Sequence, residues 1–295
     1  MNDSGITVKP LAASVSSASG IALHTFEVEF PRIILAEGNT HRVISKNTSS
    51  TRAIRIESAI GQLRLKHFVP NFTKKQPGMM ANELVDPEVQ AEAEEIWEEV
   101  MEAVILGSQK LDKLGVSKQY AGRILEPFQY VKCVWTATDW RNFLRLRNHP
   151  AAQPEIRVLA QMIEEKLATT PLKILNPGEW HTPYFGDGFW TPDCGVPLDT
   201  ALKIAASCCA QVSYRTLDDS EEKALRVIER LIPGGDEPVH SSPFENCATP
   251  MDYESAELGL ETEGVTTTNG EDFFSGNLRG WIQYRQLIPN NAVYG

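Results

Sequence analysis

No segment of this chain has the run of about 20 apolar residues that a membrane-spanning helix needs, and "MNDSGITVKP" lacks the basic-then-apolar pattern of a signal peptide. The cysteines are few, odd in number and scattered: Cys133, Cys194, Cys208, Cys209 and Cys247. Without a C-x-x-C pair they build neither a disulfide framework nor a zinc site, so no metal is expected and a cytoplasmic setting is. No Walker-type loop, H-E-x-x-H or G-x-S-x-G occurs, and the close glycines of "FGDGFW" lack the strand-to-helix context of a phosphate loop. Positive charge is also short. Lys plus Arg total 28 against 39 Asp plus Glu, a net charge of −11, which argues against wholesale binding to nucleic acid. A small anion held by a few local arginines stays open.

What is present reads as an ordinary globular chain of 295 residues, 42% hydrophobic and 23% charged. Residues 1–21, with "LAASVSSASG", read as a flexible lead-in. "HTFEVEF" alternates, with Phe26, Val28 and Phe30 on one side and Thr25, Glu27 and Glu29 on the other, as a half-buried strand does. Pro31 suits the start of a short helix through "RIILAE". The stretch "DPEVQAEAEEIWEEVMEAVILGSQKLDKLG" predicts a long helix capped at Asp86, with Val89, Ala93, Ile96, Val100 and Val104 as its apolar stripe. "TATDWRNFLRLR", "PEIRVLAQMIEEKL", "LDTALKIAASCCAQVSY" and "EEKALRVIERLI" carry helical periodicity, and "LRGWIQYRQLI" reads as a last short helical piece. Residues 185–200, rich in aromatics, Gly and Pro, suit a long ordered loop or lid, and 251–276 a polar insertion. No clean boundary divides residues 22–295, which are taken as one domain.

Three clusters carry chemistry. In "THRVISKNTSSTR", Arg42, Ser45, Asn47, Ser50 and Arg52 supply the donors that a phosphate requires, although a plain surface turn has the same composition. In "RILEP" and "NFLRLR", Arg145 and Arg147 lie two apart and cannot share a helix face, so one turns inward. An inward arginine needs a ligand or a carboxylate partner, and Glu126 and Glu155 are the nearest candidates in sequence to pair Arg123 and Arg147. In "VHSSPFENCATP", His240, Ser241, Ser242 and Glu245 are either structural or a cofactor edge. Cys208 and Cys209 lie on an apolar helical stretch and read as core.

Together these clusters resemble the flavin-dependent thymidylate synthases. Against the signature R-H-R-x-x-S-x-N-x-x-S-x-R-Y, the chain agrees at His41, Arg42, Ser45, Asn47, Ser50 and Arg52. "TFEVEFP" resembles the strand that precedes the signature. "NFLRLRNHPAAQPEI" resembles N-F-L-x-L-R-x-x-x-x-A-Q-x-E-I, carrying over Asn142, Leu146, Arg147, Gln153 and Glu155, and "RILEP" carries over Arg123. "AQVSY" and "VHSSPFEN" resemble A-R-V-S-F/Y and G-H-x-S/T-P-F-E-H. The resembling segments run over residues 22–60, 121–167 and 206–250. The last block stands first in the usual family member, so the order looks circularly permuted. The chain departs from the pattern at Glu37, Thr40, Thr48, Ala53 and Asn246.

The resemblance implies an α+β fold, a central sheet flanked by long helices, and the phage type of the family, in the host cytoplasm if phage-encoded. It implies FAD as cofactor, with methylenetetrahydrofolate and NADPH as co-substrates. The reaction would move a one-carbon unit to C5 of a deoxypyrimidine monophosphate, dUMP to dTMP first among them. A dUMP or dCMP hydroxymethylase and a non-catalytic nucleotide- or flavin-binding homologue stay open. It places Ser50, Thr51, Arg52, Arg123, Arg147 and Glu37 at the nucleotide, with Arg147 and Ser50 catalytic. The flavin set is His41, Arg42, Val43, Asn47, Asn142, Leu146, Ser213, His240, Ser242 and Glu245. A homotetramer with shared sites is implied, with no nucleic acid and no membrane as partner.

Overall fold

The computed structural model describes residues 5–78, 80–213, 217–234, 237–253, 263–269 and 272–292, and it is an α+β protein. Its centre is a five-stranded sheet in the order β3-β4-β2-β1-β5. The strands are β1 (Thr7–Ser16), β2 (Ala22–Pro31), β3 (Ser45–Thr48), β4 (Tyr130–Ala137) and β5 (Lys173–Leu175). All pairs are antiparallel except β1 with β5.

The lead-in expected over residues 1–21 is therefore corrected: Thr7–Ser16 within it form β1, an interior strand. Its register slips between Pro10 and Ala12, where proline has no N–H to give the ladder. The small residues that made it read as loose are there for close packing. Gly188 sits at φ +96°, and a Cβ there would lie 2.7 Å from Leu11 O and 2.8 Å from Ala12 Cβ.

On one face Phe26, Val28 and Phe30 of β2 and Trp135 of β4 are fully buried. Against them pack α5 (Arg141–Arg147) and α6 (Pro154–Thr169), whose Ile156, Leu159, Ala160 and Ile163 recur at helical spacing. Before β3 the chain makes a single turn and α1 (Leu35–Asn39). A second core joins α2 (Ile56–Leu65), α3 (Pro87–Lys113) and the short α4 (Lys118–Ala121) through Ile60, Leu63, Met101, Ile105 and Leu125.

The long helix forms as expected, but its buried stripe is corrected. Val89, Ile96 and Val100 stay 48%, 54% and 49% exposed, while Met101, Ile105 and Ser108 turn inward. Trp97 sets the rotation. Its ring packs edge-on with Phe68, Phe72 and Phe128, and its Nε1–H donates to Phe68 O at 2.7 Å. One aromatic anchor outweighs several valines.

The opposite face of the sheet is covered too. Thr25, expected on the polar side of a half-buried strand, is fully buried, and Glu27 accepts from Tyr184 Oη at 2.7 Å. The cover consists of α7 (Leu198–Ala210), α8 (Glu221–Leu231) and a four-stranded sheet in the order β12-β8-β6-β7. Its strands are β6 (Trp180–His181), β7 (Phe189–Trp190), β8 (Ala248–Pro250) and β12 (Trp281–Gln283). Part of the expected 185–200 loop is thus a hairpin strand. The polar stretch 251–276 lies partly outside the described residues, and its end contributes β9 (Thr267–Asn269) and β10 (Asp272–Ser275), which pair on to β11 (Leu278–Arg279).

"LRGWIQYRQLI" is not a helix but β11, β12 and a 3-10 turn at Tyr284–Leu287. Gly280 breaks it at φ +70°, where a Cβ would lie 2.8 Å from Ile21 Cδ1. Among the described residues no helix is long and apolar enough to cross a membrane.

Candidate active site

The site is built around β3, an edge strand paired only with β4. Its alternation sends Lys46 toward Trp135 and sends Ser45 and Asn47 to the C-terminal side. Lys46 Nζ donates to His41 O and to Ile44 O, pinning the turn that leads into the strand. Burial lowers its ammonium to about 8. The sequence reading missed this lysine, although a lone cation facing an apolar side was a signal.

The first group of residues gathers on Arg147. Of the two arginines, Arg147 turns inward and Arg145 stays exposed. Arg147 Nε donates to His41 Nε2 at 2.9 Å, and Nη2 reaches Thr40 Oγ1 at 3.2 Å and Glu37 O at 3.5 Å. His41 is buried edge-on against Phe143. Burial lowers its pKa to about 4, with Arg147 and Lys46 adding to the effect. The ring is therefore neutral, and because Nε2 accepts, its proton sits on Nδ1. Glu37 Oε2 is buried without a partner, and burial raises its carboxyl against the opposing pull of Arg147. Arg147 makes no described hydrogen bond through Nη1. A carboxylate oxygen and a guanidinium N–H are thus left for something else.

The second group surrounds Glu126. Thr51 Oγ1 donates to Glu126 Oε1 at 2.8 Å, and Arg32 and Arg123 each lie 3.9 Å from that oxygen. Arg32 Nη2 also donates to Ser49 O at 3.0 Å, so this partly buried arginine, absent from the sequence reading, braces the turn at Ser50. Thr51 is committed to that brace, whereas Arg52 and Arg123 are exposed. Glu126 partners Arg123, as one of the open pairings had it, but 58% exposure leaves the guanidinium accessible.

The third group lies across β3, where the turn Ser242–Asn246 meets it. Asn47 Nδ2 donates to Cys209 O, and Ser242 Oγ donates to Asn47 Oδ1 at 3.2 Å. Glu245 pairs with Arg285. Gln283 Nε2 reaches Asn277 Oδ1 at 2.9 Å and both Ser45 Oγ and Glu245 O at 3.2 Å. Asn277 Nδ2 holds Arg42 O at 3.3 Å. Gln283 and Arg285 were missed, hidden in a stretch read as a helix, and Asn277, just before that stretch, was missed as well. Arg42, Val43, Asn142, Leu146 and His240 are exposed, Asn142 and Leu146 on α5 and His240 just before the Ser242–Asn246 turn. Ser213 ends a short turn after α7, and its side chain lies outside the described residues.

Burial raises the thiols of Cys133 to about 11 and Cys208 to about 12, and pushes Cys209 and Cys247 up as well. These sulfurs are core atoms, not nucleophiles.

Residues 9–171 match the family model Thy1, thymidylate synthase complementing protein. The match takes in Glu37, Thr40 to Arg52, Arg123 and Arg147, and ends before Ser213, His240, Ser242 and Glu245. A flavin-dependent thymidylate synthase of Aquifex aeolicus (strain VF5) is 30% identical over 148 residues, 48% of this chain and 44% of that protein. The chain thus spans under half the length of that relative. Among solved structures, the UMP/dUMP methylase PolB from Streptomyces cacaoi bound with 5-Br UMP is 18% identical at a TM-score of 0.46, covering 55% of this chain and 88% of that one. The same methylase bound with 5-Br dUMP is 17% identical at 0.47, covering 55% and 90%. With its model matched across more than half of the sequence, this chain belongs to the thymidylate synthase complementing protein family.

Proposed function

We propose that this chain is a flavin-dependent enzyme that transfers a one-carbon unit from methylenetetrahydrofolate to C5 of dUMP, yielding dTMP. The observation that carries the reading is the inward Arg147, held on a neutral His41 beside the unpartnered carboxylate oxygen of Glu37. Together they offer an N–H donor and an acceptor. Uracil would meet this pair with O4 on the guanidinium and N3–H on the carboxylate, whereas cytosine would meet it with N3 on the guanidinium and its amino group on the carboxylate, leaving no carbonyl at Arg147. As C5 becomes nucleophilic, negative charge grows on the base carbonyl, and a fixed guanidinium stabilises it. Arg52, Arg123 and Ser50 would hold the 5′-phosphate through charge-assisted hydrogen bonds. Thr51 would set the shape of that pocket from its bond to Glu126.

The residues suit FAD. Arg42, Asn142, His240 and Ser242 are exposed donors for a diphosphate and a ribityl chain, and Val43 and Leu146 are exposed apolar side chains for a flat ring. When bound, FAD supplies the redox chemistry, with NADPH as its reductant. Asn47 and Glu245 would orient it. So open a site fits one completed by another subunit, and the exposed Val89, Ile96 and Val100 of α3 support a homo-oligomer, a tetramer by analogy. The contacts of Ser242 with Asn47 and of Glu245 with Gln283 support the permuted order, in which the last block occupies the place of the family's first.

The test is incubation of the purified chain with FAD, NADPH and methylenetetrahydrofolate, and separately with dUMP or dCMP, read by mass spectrometry. Methylated dUMP is expected. A hydroxymethylated or cytosine product would reassign the substrate or product, and neither binding nor transfer would leave a non-catalytic homologue.

A further inference from the structure

A continuous line of polar side chains crosses the interior between the central sheet and the Ser242–Asn246 turn. Ser14 Oγ lies 2.9 Å from His181 Nδ1, and His181 Nε2 lies 2.8 Å from Thr25 Oγ1. Thr25 Oγ1 lies 2.8 Å from Thr136 Oγ1, which donates to Asn246 Oδ1 at 2.8 Å. Asn246 Nδ2 donates to Pro243 O at 3.2 Å. Ser14, Thr25, Thr136, His181 and Asn246 are all fully buried.

The direction of every bond follows from the last one. The carbonyl of Pro243 can only accept, so the amide nitrogen of Asn246 faces it and the amide oxygen faces Thr136. Thr136 then spends its one hydroxyl proton on Asn246 and must accept from Thr25. Thr25 in turn accepts from Nε2–H of His181, whose bare Nδ1 accepts from Ser14. Burial lowers His181 to about 3, so the ring is neutral throughout.

We propose that Thr136 and Asn246 are positioning residues, the end of a one-way hydrogen-bond chain that fixes the Ser242–Asn246 turn against β3. The turn carries Ser242 and Glu245, so the functional part of the inference rests on the flavin reading above. Asn246 stands where the resembling pattern has His. Its short amide places an acceptor and a donor on one planar group, and the chain uses both. The neighbouring contacts of the turn with Asn47 and Gln283 run through Ser242, which is exposed, and Glu245, which is partly exposed, whereas every side chain of this row is fully buried. In such a setting an unmade bond is costly.

The full-length apo protein tests this in Thr136→Val and Thr136→Ser. Nitrogen NMR of the histidines should find His181 protonated at Nε2 in the wild type. In Thr136→Val the Thr25 hydroxyl loses its acceptor and turns to donate to Nε2, which moves the ring proton to Nδ1, facing Ser14. Hydrogen exchange of the 242–247 amides should accelerate about tenfold, the effect of roughly 1.4 kcal/mol, and FAD should bind about tenfold more weakly. Thr136→Ser should restore all three. Should Thr136→Val fail to fold, Asn246→Ala carries the same exchange and FAD tests. Unchanged exchange in either variant, or a serine variant as impaired as the valine one, would overturn the proposal. If the wild type binds no FAD, the flavin reading fails, and the tautomer and exchange data still decide the positioning role.

Discussion

The two faces of the central sheet are buried by different means. Under α5 and α6 the face is Phe26, Val28, Phe30 and Trp135, held by area and shape alone. Under the C-terminal half, apolar contacts through Leu23, Val134 and Trp281 are joined by a buried polar row, in which Ser14, Thr25, Thr136 and Glu27 make directed hydrogen bonds with His181, Asn246 and Tyr184. Apolar burial is non-directional and tolerates small shifts. A hydrogen-bond chain sets register and orientation. The candidate site lies at β3, the edge where the faces meet, and takes residues from both: His41 and Arg147 from one side, Asn47, Ser242 and Glu245 from the other. Both faces bury apolar side chains, and on the proposal above the polar row of the second also places the Ser242–Asn246 turn.

The comparison breaks most visibly with Phe30→Ala. The side chain is fully buried, edge-on to Trp135 at 5.5 Å. Truncation should cost about 3–5 kcal/mol in denaturant titrations. Well below its melting point, the variant should bind FAD within about twofold of the wild type, a shift of under roughly 0.5 kcal/mol. Arg147→Lys should do the reverse. It keeps the charge but loses the fork that reaches His41 and Thr40, so turnover should fall about 10²-fold while stability stays nearly constant. Arg52→Ala should weaken dUMP binding by about 1.5–3 kcal/mol, with a smaller effect on turnover at saturation. Equal loss of stability in all three variants would erase the distinction.

A gentler effect comes from pH. His24, His41 and His181 are held neutral by burial, lowered from 6.5 to about 4, 4 and 3. Between pH 6.5 and 4 these rings bind more protons in the unfolded chain than in the folded one, so their contribution to stability is complete above 6.5 and drains away as pH falls. Thermal midpoints measured from pH 7 to 4 should fall continuously. His24→Gln, at a ring whose Nε2 is buried without a partner, should make that slope shallower. Smallest is Val100→Glu on the exposed stripe of α3. Monomer stability should move by less than about 0.5 kcal/mol. Sedimentation should show the oligomer weakened if that stripe is covered by another copy.

The same contrast explains what was legible in the sequence. The apolar face announces itself: Phe26, Val28 and Phe30 alternate, and Ile156, Leu159 and Ile163 recur at helical spacing. The spacing of Arg145 and Arg147 required one of them to turn inward, and the family resemblance pointed to Arg147. The polar face was illegible, because a buried Thr25 and a solvent-facing Thr25 look alike in a strand pattern. β1 read as loose for the same reason, being built of Ala and Ser where a close approach demands small side chains. The rotation of α3 turned on one Trp that a count of valines outvoted. "GWIQYRQLI" has helical spacing, and only the conformation of Gly280 and the pairing of β12 with β8 decide otherwise. Arg285 and Gln283 were lost with it.

On the proposed function, the C-terminal face completes a flavin site on β3. Ser242 is exposed on the turn and bonded to Asn47, so Ser242→Trp should leave the fold intact and block the surface beside β3. Equilibrium titration with FAD, run on the full chain and on Ser242→Trp at matched thermal stability, tests this most directly. The account predicts binding by the first and loss of binding by the second. Failure of the full chain to bind, or equal binding by both, would contradict it.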